Sequence, residues 1–224
     1  GLVSFSLGTD TAGSGRVPAS FNNLLGYKPT RGKLSNRGIV PACQSLDCVS
    51  VFGLQVTDIL DVLSVLEEWD PLDPYSRGGA DLISSCLNGS PKVALLQPDQ
   101  LDFFGDSNAQ KAYKKSIQVL AESGLDPNPA DLSPFLQAAE LLYDGPWVAE
   151  RYLATSPLIT ESPQSFLPET LRIISGGNKP SARDAFRAQY KLAGLCREAE
   201  KVWASFDFLA LPTTGSIFTR EEIS

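Results

Sequence analysis

The sequence predicts an α/β fold, and two patterns together with the composition indicate this class. A short apolar run at residues 92–96 is followed by a helical pattern at 107–123, which is the strand-then-helix order of a layered α/β sheet. A second buried-strand pattern at 206–211 follows the longest helical stretch of the chain. Of the 224 residues, 42% are hydrophobic and 20% are charged, so the chain can build an ordinary globular core, more simply as one large domain than as two.

The first third of the chain mixes short elements with loops. Alternating apolar and small side chains indicate a strand, Gly and Pro punctuate the loops, and the apolar spacing of one segment is that of an amphipathic helix. In order, the predicted elements are a strand at 2–7, a loop at 8–16, a short helix opened by Pro18, an extended loop with little regular structure at 26–50, and a helix at 58–69 capped by Thr57 or Asp58.

The remainder of the chain is predicted to be mostly helical. The one interruption inside a helical pattern is Gly145-Pro146, because proline breaks or kinks a helix. In order, the predicted elements are a turn-rich segment at 70–81, the strand at 92–96, the helix at 107–123, an interrupted helix at 132–153, a long helix at 180–204 capped by Ser181, and the strand at 206–211, which ends at Pro212.

The composition excludes several functional classes. Lys and Arg number 19 against 26 Asp and Glu, and the resulting net charge of −7 argues against nucleic acid or an anionic membrane surface as a partner. The chain has no His, so these residues alone cannot form a Ser-His-Asp triad, a Cys-His pair or a His zinc site. No apolar run approaches the roughly 18–20 residues of a membrane span.

The cysteines and the first residue suggest the setting of the chain. Cys43, Cys48, Cys86 and Cys196 do not form the C-x-x-C pair of a zinc knuckle or redox site. We therefore expect reduced, mostly buried thiols, no metal, and a cytoplasmic location. Because the chain has no Met and Gly1 opens directly on an apolar run, we expect it to be part of a longer protein.

Three interpretations compete for the small-residue loop at 8–16. A phosphate-binding loop requires Lys followed by Ser or Thr where Ser14-Gly15 stands. A G-x-S-x-G nucleophile elbow requires glycine where Ala12 and Arg16 stand. The third interpretation is a tight turn that packs a helix against a strand, and spacing alone favours it.

The residues themselves carry more information than their spacing. Residues 8–19, G-T-D-T-A-G-S-G-R-V-P-A, resemble the nucleophile segment of the amidase signature family. Residues 26–32 (G-Y-K-P-T-R-G) and 45–47 (S-L-D) are similar to that family in the expected order, and Pro212-Thr213-Thr214 resembles its late core strand and following loop. Residues 141–152, L-L-Y-D-G-P-W-V-A-E-R-Y, resemble a segment of the family's allophanate hydrolases.

This resemblance implies a fold and a mechanism. The implied fold is an α/β/α sandwich on a mixed sheet, with residues 1–224 as a fragment of a single amidase domain. The implied mechanism is that of a Ser-cisSer-Lys hydrolase, in which a lysine and a bridging serine replace histidine as the base and no cofactor or metal takes part. Ser14 is then the nucleophile, and the backbone N–H groups of Thr11, Ala12, Gly13 and Ser14 form the oxyanion hole.

The family's bridging serine and lysine lie upstream of its nucleophile, and here both are expected before Gly1. Lys28 and Lys33 lie in the wrong segment to replace that base, so we expect them to brace loops or to be solvated. Asp10 and Arg16 are interpreted as structural charges that hold the loop. We therefore expect the isolated chain to be inactive, although the intact protein is an enzyme.

Two residues flank the Gly-Pro break and are implied by the resemblance to clamp the substrate. Arg151 offers a planar fork that suits the carboxylate of allophanate, a small ureido carboxylate, and Tyr143 adds a hydroxyl. In the alternative interpretation, Arg151 pairs with Glu150 or another neighbour and Tyr143 belongs to the core.

The function implied is hydrolysis of allophanate to ammonia and carbon dioxide through an acyl-enzyme on Ser14. One alternative is another small-amide amidase of the family, and a second is a catalytically silent amidase remnant that acts as an interaction module. The partners expected are a small-molecule substrate, a second copy in a homodimer, and a urea carboxylase fused in the full-length protein.

Overall fold

The computed structural model describes residues 2–78 and 89–222. Helices and strands with both parallel and antiparallel pairing are present, so the predicted α/β class is confirmed. In chain order the elements are β1 Ser6–Thr9, α1 Arg16–Phe21, β2 Leu25–Tyr27, β3 Val49–Gly53, α2 Val56–Leu66, β4 Lys92–Leu96, α3 Ser107–Glu122, β5 Asp126–Ala130, α4 Ser133–Tyr143, α5 Val148–Glu161, α6 Pro168–Ser175, α7 Ala182–Trp203 and β6 Phe208–Ala210, with single 3-10 turns at Pro98–Gln100, Pro163–Ser165 and Gly176–Asn178.

The first of two compact units comprises the described parts of residues 1–81 and 138–192. Its sheet has the strand order β1-β3-β2, with the central strand β3 antiparallel to both neighbours. Ser50 and Val51 point to opposite faces of β3 and are both fully buried. On one face, Val51 packs in a core with Leu34 and Leu63.

The prediction of an irregular segment at 26–50 is correct for the middle of the segment and wrong at both ends. Residues 28–48 contain neither helix nor strand, but Leu25–Tyr27 and Val49–Gly53 are β2 and β3. Gly26 is a residue type that usually indicates a loop, but here it lies in a strand. A Cβ at this position would stand 2.6 Å from the Ala19 Cβ, so the glycine lets β2 approach α1. The strand predicted at 2–7 is also wrong in its bounds, because pairing with β3 begins at Ser6 and continues to Thr9.

Helix α2 begins earlier and ends earlier than the predicted span of 58–69. Its N-cap is Gln55, and the N–H of Gln55 donates to the Asp58 carboxylate at 3.1 Å in a capping box. Asp58 therefore helps to cap the helix from its third position, whereas neither predicted cap residue occupies the N-cap itself.

The second unit comprises the described parts of residues 82–137 and 193–224. Its sheet is parallel, in the order β5-β4-β6. Ala94 and Leu96 of β4 pack with Leu132 in the core of this unit. Strand β5 was not predicted, because it carries Pro127 and Pro129. Proline has no backbone N–H to donate to a neighbouring strand. Here the two prolines are tolerated because β5 lies at the edge of the described sheet.

The helices predicted at 107–123 and 180–204 agree with α3 and α7 to within two residues. Elsewhere the predictions are less accurate, since α1 begins at Arg16 rather than at Pro18, α5 continues to Glu161, and α6 was not predicted. The helical pattern at 132–153 divides into α4 and α5 on either side of Gly145-Pro146. Ser181 caps α7 as predicted, since its Oγ accepts from the Asp184 N–H at 3.3 Å. Within the described residues, no helix combines the length and apolar character of a membrane span. The segment predicted at 70–81 is irregular as far as residue 78; its last residues lie outside the described residues, as does Cys86.

Helix α2 offers a direct test of the first core. Leu63 is only 6% exposed and packs in this core, whereas Leu60, on the same helix, is 57% exposed. We expect Leu63→Ala to lower the free energy of unfolding by about 2–5 kcal/mol, and Leu60→Ala by less than about 1 kcal/mol, because only the first leaves a cavity. Chemical denaturation of both variants checks this, and equal losses would contradict the assigned core.

Candidate active site

Residues 10–15, between β1 and α1, form an irregular loop. The loop predicted at 8–16 is correct in its middle and too long at its ends, because Gly8 and Thr9 belong to β1 and Arg16 begins α1. The centre of the loop is Gly13, whose φ of +132° is a backbone conformation that residues with a side chain rarely adopt. Ser14 follows at the end of the loop and is exposed, while its neighbours Gly13 and Gly15 are buried. The loop therefore presents one serine hydroxyl at the surface of the described unit.

The Asp10 carboxylate is buried and holds this loop together. It accepts the Gly13 N–H at 2.6 Å and the Arg16 N–H at 3.1 Å. The Arg16 guanidinium donates to both carboxylate oxygens, at 2.9 and 3.1 Å. Burial by itself would raise the pKa of Asp10, but the hydrogen bonds from Arg16 and Gly13 outweigh it and hold that pKa well below its usual range. The structural role predicted for Asp10 and Arg16 agrees with these contacts.

Two further side chains fix the loop at Thr11. The Lys28 ammonium donates to the Thr11 carbonyl at 2.9 Å and lies 3.5 Å from the Asp10 carboxylate. The Thr11 hydroxyl donates to the buried carboxylate of Asp47. Lys28 thus braces the loop, which is one of the two roles expected for it.

The predicted oxyanion-hole donors are not equivalent. The Gly13 N–H is already engaged by Asp10, but the N–H groups of Thr11, Ala12 and Ser14 have no acceptor among the residues that the structure describes. The bond from Lys28 also orients the peptide group between Thr11 and Ala12, because the N–H of a trans peptide points opposite to its carbonyl. Three backbone donors in the loop that contains Ser14 therefore have no acceptor among the described residues.

Glycine allows the loop to lie close to the sheet. A Cβ at Gly15 would stand 2.8 Å from the Cβ and Oγ of Ser50 in β3 and 3.2 Å from the Asp10 Cβ. Any larger residue at position 15 would push the segment that contains Ser14 away from β3.

A turn at residues 42–47, hereafter the 42–47 turn, connects the loop to helix α5. Its Asp47 carboxylate accepts the Ala42 N–H at 2.9 Å and the Cys43 N–H at 3.1 Å in addition to the Thr11 hydroxyl. Its Ser45 donates from both N–H, at 2.9 Å, and hydroxyl to the Glu150 carboxylate in the first turn of α5. The 42–47 turn is therefore hydrogen-bonded to both elements.

The two predicted clamp residues lie in the same unit as Ser14. Tyr143 is the last residue of α4 and is 62% exposed, so it does not belong to the core. Arg151 lies in the first half of α5 and is partly buried. Arg151 has no ion pair with a described residue, and the Glu150 carboxylate is bonded to Ser45 instead.

Three contacts of this site could not be predicted from the sequence. The bond between Asp47 and Thr11 has no local sequence signal, because the two residues are 36 positions apart. Ser45 and Glu150 are separated by 105 positions, so no local sequence pattern indicates that they pair. Lys28 was expected to brace a loop, but the Thr11 carbonyl that it contacts was not identified.

The cysteines within the described residues are structural or exposed. Cys43 and Cys48 are buried and Cys196 is exposed, all with free thiols. Burial, assisted by nearby Glu150, raises the pKa of the Cys43 thiol to about 12, and burial likewise raises the pKa of Cys48. Residues 2–78 and 89–222 contain no cluster of three or more Cys, Asp or Glu placed to hold a metal ion.

Comparison with known proteins gives a consistent result. A family model described as Amidase matches residues 1–222. Urea amidolyase from Lachancea kluyveri is 41% identical over 228 aligned residues, which include all of this chain and 12% of that protein. A serine-to-alanine variant of Kluyveromyces lactis allophanate hydrolase is 42% identical with a TM-score of 0.93, and the chain covers 36% of it. Urea amidolyase from the same yeast has a TM-score of 0.94 at 42% identity, and 14% of it is covered.

Asp10→Asn tests the charge at the centre of the loop. We expect the free energy of unfolding at pH 7 to fall by about 2–3 kcal/mol, because the hydrogen bonds to Arg16 and Gly13 lose their charged acceptor. Since the pKa of Asp10 is lower in the folded chain than in the unfolded one, this stabilisation is fully present above the unfolded pKa of about 4 and is lost as the pH falls further through the folded pKa.

Chemical denaturation of wild type and variant across this pH range is the measurement, and the exposed Asp61→Asn on α2 is the matched control. The difference between wild type and Asp10→Asn is expected to shrink as the solution is acidified below about pH 4, while Asp61→Asn changes little at any pH. A difference that stays constant down to acid pH would show that Asp10 does not act through its charge.

Proposed function

This chain belongs to the Amidase family, and from that premise we propose that it carries the nucleophile and oxyanion hole of an allophanate hydrolase. The observation that carries the proposal is the loop at 10–15, which exposes Ser14 and contains three backbone N–H groups without a described acceptor. The allophanate hydrolase and the urea amidolyases similar to this chain support the choice of substrate.

The proposed reaction is acyl transfer from nitrogen to the Ser14 hydroxyl. Ser14 Oγ attacks the terminal amide carbonyl of allophanate, and the carbonyl oxygen becomes an oxyanion that accepts hydrogen bonds from the Thr11, Ala12 and Ser14 N–H groups. The tetrahedral intermediate collapses as the C–N bond breaks, and the terminal nitrogen leaves as ammonia with the proton that came from the Ser14 hydroxyl. Water then cleaves the acyl-enzyme ester, which restores the hydroxyl and releases N-carboxycarbamate, and this product breaks down to a second ammonia and carbon dioxide. Each preorganised donor of such a hole is typically worth about 3–4 kcal/mol of transition-state stabilisation.

The base that activates Ser14 is proposed to come from elsewhere in an intact protein. The chain has no His, and the ammonium of Lys28 is engaged by the Thr11 carbonyl and the Asp10 carboxylate. A serine hydroxyl without a base is a weak nucleophile at neutral pH. The activity we propose is therefore that of the intact protein, and the isolated chain is expected to lack it.

Arg151 and Tyr143 are proposed to bind the substrate carboxylate. The Arg151 guanidinium has no ion pair among the described residues, so its paired N–H groups can donate two parallel hydrogen bonds to the carboxylate of a substrate. Tyr143 lies in the same compact unit as Ser14 and is exposed, so its side chain is accessible to a ligand.

Two further proposals concern the other parts of the intact protein and its location in the cell. Because the chain spans 12–14% of the urea amidolyases that it matches, we propose that the intact protein also contains a urea-carboxylating part that supplies allophanate. The free thiols of Cys43, Cys48 and Cys196 are compatible with a cytoplasmic location.

Arg151→Lys in an intact protein containing this chain tests the substrate assignment. Lys keeps the charge but loses the planar fork, so we expect kcat/KM for allophanate to fall by about 1.5–3 kcal/mol of transition-state stabilisation. A neutral small amide, which has no carboxylate, should be affected much less. Steady-state kinetics on both substrates is the measurement.

Equal losses on the two substrates would make Arg151 a structural residue and would reduce the proposal to a small-amide amidase of the family. No turnover of either substrate by the intact wild-type protein would instead favour a catalytically silent remnant.

A further inference from the structure

Ser45, in the 42–47 turn, has all three of its polar groups engaged. Its N–H and its hydroxyl both donate to the Glu150 carboxylate, one to each oxygen. Its carbonyl accepts from the Arg31 guanidinium, which also lies over the Tyr75 ring with 5.5 Å between the guanidinium carbon and the ring centroid. Ser45 is therefore held firmly from two sides, and Glu150 is held by Ser45.

The first turns of α5 are held at a second point. Gly177 is buried against this helix, and a Cβ on Gly177 would stand 2.6 Å from the Tyr152 Cβ. With Tyr152 packed on Gly177 and Glu150 bonded to Ser45, rotation of the helix about its axis is restricted. Arg151 lies between these two residues in sequence, about 100° around the helix from each.

The acidic residue next to Arg151 is engaged elsewhere. Both carboxylate oxygens of Glu150 accept from Ser45, and adjacent residues of a helix do not face each other. No ion pair joins Glu150 and Arg151 in the part of the chain that the structure describes. The Ser45 contact therefore acts on Arg151 through the placement of α5, which carries both residues.

The 42–47 turn also bonds to the loop that presents Ser14. Asp47 accepts the Thr11 hydroxyl, and the turn is closed by hydrogen bonds from the Leu46 and Asp47 N–H groups to the Cys43 carbonyl, at 2.8 and 2.9 Å. The 42–47 turn is therefore bonded through Asp47, at its end, to the loop of residues 10–15, and through Ser45, near the middle of the turn, to the first turn of α5.

We infer that Ser45 and Glu150 are positioning residues for substrate specificity, which set the location of the Arg151 guanidinium relative to Ser14. This inference rests on the proposed function and extends it, because it makes recognition of the carboxylate depend on a contact that touches neither the substrate nor the reacting atoms. Loss of the contact should weaken binding of a carboxylate substrate and leave the acyl-transfer chemistry of Ser14 nearly unchanged.

The experiment is a double-mutant cycle in an intact protein containing this chain, with Ser45→Ala and Arg151→Lys made singly and together. Ser45→Ala removes the hydroxyl donor and keeps the backbone bond to Glu150, so it perturbs the contact without abolishing it. Ser156→Ala is the matched control on α5, because the Ser156 hydroxyl donates only within the helix, to the Leu153 carbonyl. Both allophanate and a neutral small amide are used as substrates.

We expect Ser45→Ala to lower kcat/KM for allophanate about three- to tenfold, mainly through a higher KM, and to change the neutral amide by less than about twofold. In the Arg151→Lys background the effect of Ser45→Ala should largely disappear, because both changes act through the same guanidinium. Glu150→Gln, which retains one acceptor oxygen, should lie between wild type and Glu150→Ala. Ser156→Ala should resemble wild type.

Two results would overturn the inference. One is a loss for Ser45→Ala that is equal on both substrates, and the other is a loss that adds in full to that of Arg151→Lys. In either case a selective effect of Arg151→Lys would leave the proposed function standing. If Arg151→Lys itself is unselective, the proposed function fails together with this inference.

Discussion

The candidate site depends above all on the buried Asp10 carboxylate. A buried charge is costly unless it is paired and hydrogen-bonded, and here Arg16 supplies both a charge and three donors, while Gly13 supplies a fourth. These bonds close the chain between Asp10 and Arg16, and Ser14 is the exposed residue between the buried Gly13 and Gly15 within that segment. The irregular backbone around Ser14 is thus held by one carboxylate.

The loop is linked to more distant residues by hydrogen bonds of the same kind. Lys28 orients the Thr11 peptide, and Asp47 bonds Thr11 to the 42–47 turn. From that turn Ser45 bonds to Glu150, next to Arg151 in α5. Ser14 and Arg151, the proposed nucleophile and carboxylate ligand, are 137 positions apart in sequence, and these polar contacts join the loop of the one to the helix of the other within one compact unit.

The parts of this structure that could be predicted from the sequence are those with local signals. The break between α4 and α5 follows from Gly145-Pro146, and the loop at 10–15 follows from its small residues and its resemblance to a known segment. Strand β5 was missed because its prolines argue against a strand, and they are tolerated only at a sheet edge. The Ser45 to Glu150 contact was missed because no periodicity or motif connects residues so far apart.

The central claim is that Ser14 is the nucleophile of this site. The most direct measurement treats an intact protein containing this chain with a fluorophosphonate, which modifies activated serine hydroxyls, and locates the adduct by peptide mass spectrometry. We expect a single adduct, on the peptide that contains Ser14, and none in the Ser14→Ala variant. An adduct on another serine with Ser14 unmodified, in a protein that hydrolyses allophanate, would contradict the account.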